Sequence, residues 1–125
     1  MNAKTVAQLV QEAKSTIENL TPDQVQAELA TGNIVLVDIR DANELANGTI
    51  PGAIHVSRGM LEFHADPASP LHKPDLDPNR RVILHCASGG RSALAVHTLR
   101  TLGYRNVAHL DGGFKAWQAA GKPVA

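Results

Sequence analysis

The stretch Arg81-Val82-Ile83-Leu84-His85-Cys86-Ala87-Ser88-Gly89-Gly90-Arg91-Ser92 decides how this chain is read. Its first half is an apolar run without polar alternation, the pattern of a strand covered on both faces as in a parallel sheet. Its second half breaks that run with a pair of glycines and restarts as a helix from Arg91 to Leu102, ended by Gly103. Strand, Gly-containing turn and helix together place Cys86 at the carboxyl edge of a sheet, where open α/β folds bind their ligands. The glycines allow successive N–H groups to curl inward as an anion-binding nest, and the helix start adds roughly half a positive elementary charge. A cysteine in that position is expected to have a depressed pKa and to be largely thiolate near neutral pH. The competing reading makes Cys86 an ordinary buried residue. A core position, however, needs neither the glycines nor an arginine close behind them. Arginine in a first helical turn is itself unfavourable unless an anion or carboxylate compensates it.

Outward from this stretch, Ile34-Val35-Leu36-Val37-Asp38 repeats the buried-strand pattern, and Val107 to Leu110 forms a last strand. Shorter extended pieces are expected at Ile17 to Leu20, as an edge strand, and at Ala53 to Val56. Between them lie helices. Val6, Leu9, Val10, Ala13 and Ile17 recur at helical spacing, so Ala3 to Ser15 reads as an amphipathic helix packed on its own domain or on a second copy. Thr21, Pro22 and Gln24 form an N-terminal cap signature for a helix that carries Val25, Leu29 and Ala30 inward and stops at Gly32. Asp41 to Ala46 fits a short helix, and Ser57 is expected to cap another through Met60, Leu61 and Phe63. The helix after the cysteine turn is expected to bury Leu94, Ala95, Thr98, Leu99 and Leu102, and Phe114 to Ala120 closes the chain with Trp117 in the core. Pro67, Pro70, Pro74 and Pro78 mark a surface connection over residues 65–80. Strands alternating with helices through short loops imply an α/β fold, a three-layer α/β/α sandwich around a central, mostly parallel sheet of about five strands. Residues 1–16 read as an N-terminal helical extension and 17–125 as the domain proper.

With 125 residues, 43% of them apolar, the chain suits one domain with one core. Its 12 basic and 12 acidic residues cancel, which leaves no electrostatic footprint for nucleic acid or an anionic membrane. No apolar stretch approaches the roughly 20 residues that span a bilayer, and the opening Met1-Asn2-Ala3-Lys4-Thr5 is too polar for a secretory signal. A single cysteine makes neither an internal disulfide nor a cysteine-rich zinc site, so a reducing, cytoplasmic location is expected, with monomer and homodimer both open. His55, His64, His72, His85, His97 and His109 show no zinc-ligand spacing, and neither metal nor cofactor is expected. Strand alternation sends His85 to the face opposite Cys86, where it is expected to be a hydrogen-bonded structural histidine and not a base.

Four blocks in order resemble the rhodanese family from about Ile17 onward: Val35-Leu36-Val37-Asp38-Ile39-Arg40, Gly48-Thr49-Ile50-Pro51-Gly52-Ala53-Ile54, Cys86-Ala87-Ser88-Gly89-Gly90-Arg91-Ser92, and Asp111-Gly112-Gly113-Phe114 with Trp117. Thr49 stands where the family usually has histidine and Leu45 where it often has an aromatic residue. The resemblance implies a rhodanese-like fold and a sulfurtransferase. In it, Cys86 takes a sulfane sulfur from thiosulfate, a persulfide or a polysulfide, and passes it to cyanide or to a thiol of a small molecule or protein. It also implies that Ala87, Ser88, Gly89, Gly90, Arg91 and Ser92 form the loop that holds the persulfide, through donors arranged as in an oxyanion hole. Arg91 would draw in the anionic donor or brace the loop, and Ser92 would cap the helix or donate to sulfur. Asp38, Arg40 and Arg58 are supporting candidates, with a structural ion pair or a solvated side chain as the alternative for each. Phosphatases and arsenate reductases of the same fold also set a cysteine and an arginine around an anion loop. Theirs is one residue longer than the Ala87-Ser88-Gly89-Gly90 spacer. A non-catalytic binding module is the remaining class, usually with its cysteine replaced.

Overall fold

Apolar runs become strands in the computed structural model, which describes residues 2–125. The strands are β1 (Glu18–Leu20), β2 (Ile34–Asp38), β3 (Ile54–His55), β4 (Arg81–His85) and β5 (Val107–Leu110). They form one sheet in the order β1-β5-β4-β2-β3, and every pairing in it is parallel. The expectation of a mostly parallel sheet is thus met in its strict form. Helix α1 (Val6–Lys14) precedes the sheet, the connections between strands carry α2 (Pro22–Thr31), α3 (Leu61–Ala65) and α4 (Gly90–Thr101), and α5 (Gly113–Ala119) follows β5. Among the described residues, no helix is long and apolar enough to cross a membrane.

Alternation along β4 divides the core. Val82, Leu84 and Cys86 face Ala95, Val96 and Leu99 of α4, together with Leu61, Tyr104 and Val107. Ile83 faces the other way, toward Leu36, Ala108, Leu110, Val25 of α2, and Phe114 and Trp117 of α5. The indole of Trp117 is buried and donates to Pro123 O at 2.7 Å. Helix α1 packs against α4 and buries Ala13.

Local chemistry adjusts several of the expected boundaries. Helix α1 starts later than Ala3 because Thr5 and Gln8 form a capping box: Thr5 Oγ1 accepts from Gln8 N at 3.1 Å, and Thr5 N donates to Gln8 Oε1 at 2.8 Å. The same box at Thr21 and Gln24 opens α2 as expected. Residues Ala42–Asn47 wind as a 3₁₀-helix. Ser57 makes no side-chain cap; a 3₁₀ turn, Arg58–Met60, leads into α3 instead. Along α4 the buried stripe is Ser92, Ala93, Ala95, Val96 and Leu99. Small residues let this helix lie close to the sheet, while Leu94 turns aside to line a groove with Leu9 and Ala13 of α1.

One buried ion pair supports the end of β2. Arg40 and Asp38 are each 2% exposed and meet at 2.8 Å, with a second contact from Arg40 Nε at 3.0 Å. Burial pushes the Asp38 carboxyl up, yet the hydrogen bonds from Arg40 outweigh it and hold it below the usual range. Arg40 also donates to Gly48 O at 2.8 Å and lies 4.3 Å over the Phe114 ring. Removing one partner leaves a buried charge without compensation. Arg40→Met is therefore expected to lower the stability measured by urea unfolding by about 3–5 kcal/mol. The double replacement Asp38→Leu with Arg40→Met should lose distinctly less.

Candidate active site

Strand β4 ends at His85, and the next residue, Cys86, sits 1% exposed at the carboxyl edge of the central strand. The backbone from Ala87 to Gly90 then curls so that Gly89 N donates to Cys86 Sγ at 3.1 Å. Two features force this turn. Gly89 adopts φ 99 and Gly113 adopts φ 63, the left-handed region that glycine enters without strain. The first amides of α5 also pull the loop carbonyls outward: Phe114 N donates to Cys86 O at 2.8 Å and Lys115 N to Ala87 O at 3.0 Å. With the carbonyls held there, the loop N–H groups converge on sulfur. Ser92, in the first turn of α4, brings its Oγ to 3.6 Å from Sγ.

Burial raises the Cys86 pKa, but hydrogen bonding at Ser92, Gly89 and Ser88 outweighs it and brings the thiol below its ordinary value. The arrangement can therefore hold a nucleophilic sulfur anion. Beside the loop, an open groove of about 540 Å³ is walled by Val6, Val10 and Lys14 of α1 and by Ser88 and Gly90.

Arg91 does not stand free. Its guanidinium grips Glu44 through two contacts, Nη1–Oε1 at 2.7 Å and Nη2–Oε2 at 3.0 Å. The Arg91 hydrogen bonds, aided by the Asp41 N–H, hold the Glu44 carboxyl down to about 2. Glu44 is thus the carboxylate that an arginine in a first helical turn requires, and sequence reasoning missed it. The only available sequence signal was its place three residues after Asp41, whose N–H it accepts at 2.9 Å. Asp38 and Arg40 face each other and not the cysteine loop. Arg58 pairs with Glu62 at 2.9 Å and reaches Thr98 Oγ1 at 3.3 Å, which lies about 10 Å along α4 from Arg91. These three side chains are engaged in packing contacts and do not gather around Sγ.

His85 lies opposite Cys86, stacked on Phe114 with ring centroids 6.4 Å apart. The expectation that it is fully hydrogen-bonded is corrected. Nδ1 reaches Cys86 O at 3.2 Å, but Nε2 has no hydrogen-bond partner among the described residues, and the Asp38 carboxylate at 3.6 Å is too distant to serve as one. Burial holds this histidine below its ordinary pKa. A second group, weighed in the sequence only as a metal ligand, is His109, whose Nδ1 lies 2.8 Å from Ser92 Oγ. Alternation from Val107 could have put His109 on the α4 face, but not against Ser92.

Two outcomes follow from this geometry. A Cβ on Gly113 would lie 2.6 Å from Cys86 O and Ala87 C, so Gly113→Ala must displace the loop. Thiol alkylation of the folded variant should show Cys86 returning toward ordinary acidity. The Glu44–Arg91 pair has a carboxyl pKa lowered from 4.5 to about 2 on folding, so its stabilisation is present above pH 4.5 and is lost as pH falls toward 2. Urea unfolding between pH 5 and pH 3 should therefore show a smaller loss of stability for Glu44→Gln than for the parent chain.

The rhodanese-like domain profile matches residues 21–120. A sulfurtransferase from Allochromatium vinosum is 31% identical over 86% of this chain and 94% of its own length. The human thiosulfate:glutathione sulfurtransferase is 31% identical over 75% and 87%. Among solved structures, a Rhodopseudomonas palustris protein described as of unknown function and a possible tyrosine phosphatase is 41% identical, with a TM-score of 0.92, covering 100% of this chain and 97% of its own. A Pseudomonas aeruginosa thiosulfate sulfurtransferase gives a TM-score of 0.75 at 31% identity, over 91% of this chain and 21% of its own. A single profile spans β2 to β5, the cysteine loop and the closing helix, and relatives matched over most of their own length share that span: the chain belongs to the rhodanese-like family.

Proposed function

We propose that this protein is a sulfurtransferase that carries sulfane sulfur as a persulfide on Cys86. The observation that carries the reading is the Cys86 sulfur, 3.1 Å from the Gly89 N–H, inside a loop whose amides favour negative charge. In the first half-reaction the Cys86 thiolate attacks the outer sulfur of thiosulfate, a persulfide or a polysulfide. A new S–S bond forms at Sγ, the donor's own bond to that sulfur breaks, and its electron pair leaves with sulfite, a thiolate or a shortened polysulfide anion, respectively. The terminal sulfur then bears the charge and faces the loop donors. In the second half-reaction a thiolate acceptor, or cyanide, attacks that terminal sulfur, and Cys86 departs as the thiolate it began as. Covalent catalysis of this kind divides one transfer into two easier steps.

Bracing of the loop falls to Arg91 through Glu44, and bracing of the neighbouring connection to Asp38 and Arg40. The groove beside α1 gives a small thiol, or a cysteine on a protein acceptor, a route to the loop. A thiol kept free for persulfide chemistry suits a reducing, cytoplasmic setting. No cofactor enters either step.

A phosphatase reading is raised by the description of the Rhodopseudomonas palustris relative. The loop weighs against it. Only Ala87, Ser88, Gly89 and Gly90 separate Cys86 from Arg91, and Arg91 is clamped to Glu44 where a phosphatase needs that arginine on the phosphoryl oxygens. Incubation with thiosulfate or polysulfide followed by mass spectrometry should show one added sulfur atom on Cys86, removed by cyanide or glutathione and absent from Cys86→Ser. A chain that stays unmodified by every sulfane donor yet hydrolyses an aryl phosphate would overturn the proposal.

A further inference from the structure

A line of hydrogen bonds runs from the Cys86 sulfur into the fold. Ser92 Oγ lies 3.6 Å from Sγ and 2.8 Å from His109 Nδ1, and His109 Nε2 lies 2.8 Å from Asn19 Oδ1. Asn19 and His109 are register partners on the adjacent strands β1 and β5. Both Ser92 and His109 are 0% exposed.

The far end of this line fixes where its hydrogens sit. Asn19 Nδ2 donates to Lys14 O at 2.9 Å and to Ile17 O at 3.2 Å, contacts that an amide N–H₂ makes and an amide oxygen does not. The atom facing His109 is therefore the acceptor Oδ1, so Nε2 carries the ring hydrogen. The groups that face the ring are Ser92 on α4, Asn19 on β1, Lys14 on α1 and Asp111 beyond β5. Lys14 and Asp111 pair with each other at 2.8 Å, and burial holds His109 down to about 4. The ring is neutral at physiological pH, and Nδ1 offers a bare lone pair. Ser92 has one hydroxyl hydrogen to give. Its candidate acceptors are His109 Nδ1 at 2.8 Å, Gly89 O at 3.4 Å and Cys86 Sγ at 3.6 Å. The histidine is nearest, and it is the acceptor that would otherwise be buried unpaired.

We infer that His109 is a positioning residue that holds the Ser92 hydroxyl proton off the Cys86 sulfur. The inference rests on Cys86 being the sulfur carrier. In the thiol form the S–H can donate to Ser92 Oγ. In the thiolate form the sulfur meets lone pairs there, unless Ser92 abandons His109. The loop amides therefore carry the stabilisation of the anion, and the share that the Ser92 hydroxyl could add is withheld. A thiolate with one donor fewer is more basic and attacks sulfane sulfur faster. Arg91, the charged group nearest the sulfur on α4, is already committed to Glu44 and does not replace the missing donor.

The test reads the thiol directly, as the pH dependence of Cys86 alkylation by iodoacetamide with no sulfur donor present. His109→Leu frees the hydroxyl for the thiolate, so the midpoint should move down by about one pH unit and the plateau rate should fall about threefold. Ser92→Ala should shift the parent midpoint by only a few tenths of a unit, yet should cancel the His109→Leu shift when the two are combined. An unchanged or raised midpoint in His109→Leu overturns the inference. Should that variant fail to fold, two-bond ¹H–¹⁵N correlation on the unaltered protein decides: a ring protonated at Nε2 supports the inference and one protonated at Nδ1 overturns it. Absence of a persulfide on Cys86 is a separate result and would remove the sulfurtransferase reading without touching these midpoints.

Discussion

The site depends on holding two carbonyl groups away from a sulfur atom. Left to itself, the backbone after β4 could present Cys86 O and Ala87 O toward Sγ, and a sulfur anion there would meet only negative ends of dipoles. The first amides of α5 capture both carbonyls, and the loop N–H groups face inward as a result. Burial opposes an anion at Cys86, but hydrogen bonding at Ser92, Gly89 and Ser88 outweighs burial and lowers the thiol's pKa. Nucleophilicity at this cysteine is thus a property of the contact between the β4–α4 turn and α5, and not of the cysteine itself.

That contact explains why glycines gather on both sides of it. Gly89 and Gly113 occupy left-handed conformations, and in addition each stands where a side chain has no room. A Cβ on Gly89 would come to 3.0 Å from Gly112 N, while one on Gly113 would strike the backbone of Cys86 and Ala87. Gly89 of the cysteine loop and Gly113 at the start of α5 are therefore two halves of one close approach. Around it, charged groups are spent on bracing. Arg91 is held by Glu44, Arg40 by Asp38, and Arg81, at the start of β4, by Glu18 at 2.6 Å and Glu28 at 2.7 Å.

The polar line behind the sulfur adds a second layer of control. The amides of the loop are fixed donors and serve any anion. A hydroxyl can turn, and its direction is set by whatever competes for its hydrogen. In this fold the competitor is a buried neutral imidazole whose own tautomer is dictated by an amide on the edge strand. Acidity and nucleophilicity of a thiol pull in opposite directions, so a donor withheld from sulfur is as much a tuning device as a donor supplied.

Much of this molecule is determined by sequence alone. Short apolar runs rich in β-branched residues, Ile34 to Asp38 and Arg81 to His85, read as strands covered on both faces, because they are too short for helices and have no polar side to give to water. Their alternation with helical patterns then dictates a parallel sheet, and the glycine turn after Cys86 marks the active edge. Local signatures such as Thr21 with Gln24 likewise act over three residues and need no distant partner. The tertiary structure decided everything that joins residues far apart in the chain. Glu44 meets Arg91 across 47 positions, and Asn19 reaches His109 across 90. Spacing carries no trace of such meetings, since they arise only when separate elements pack. The same holds for His85, whose unpaired Nε2 results from the distance to Asp38 and not from either residue's identity. Residue types and their periodicity announce which faces are buried; which polar atoms meet within them is settled by packing, to within a few tenths of an ångström.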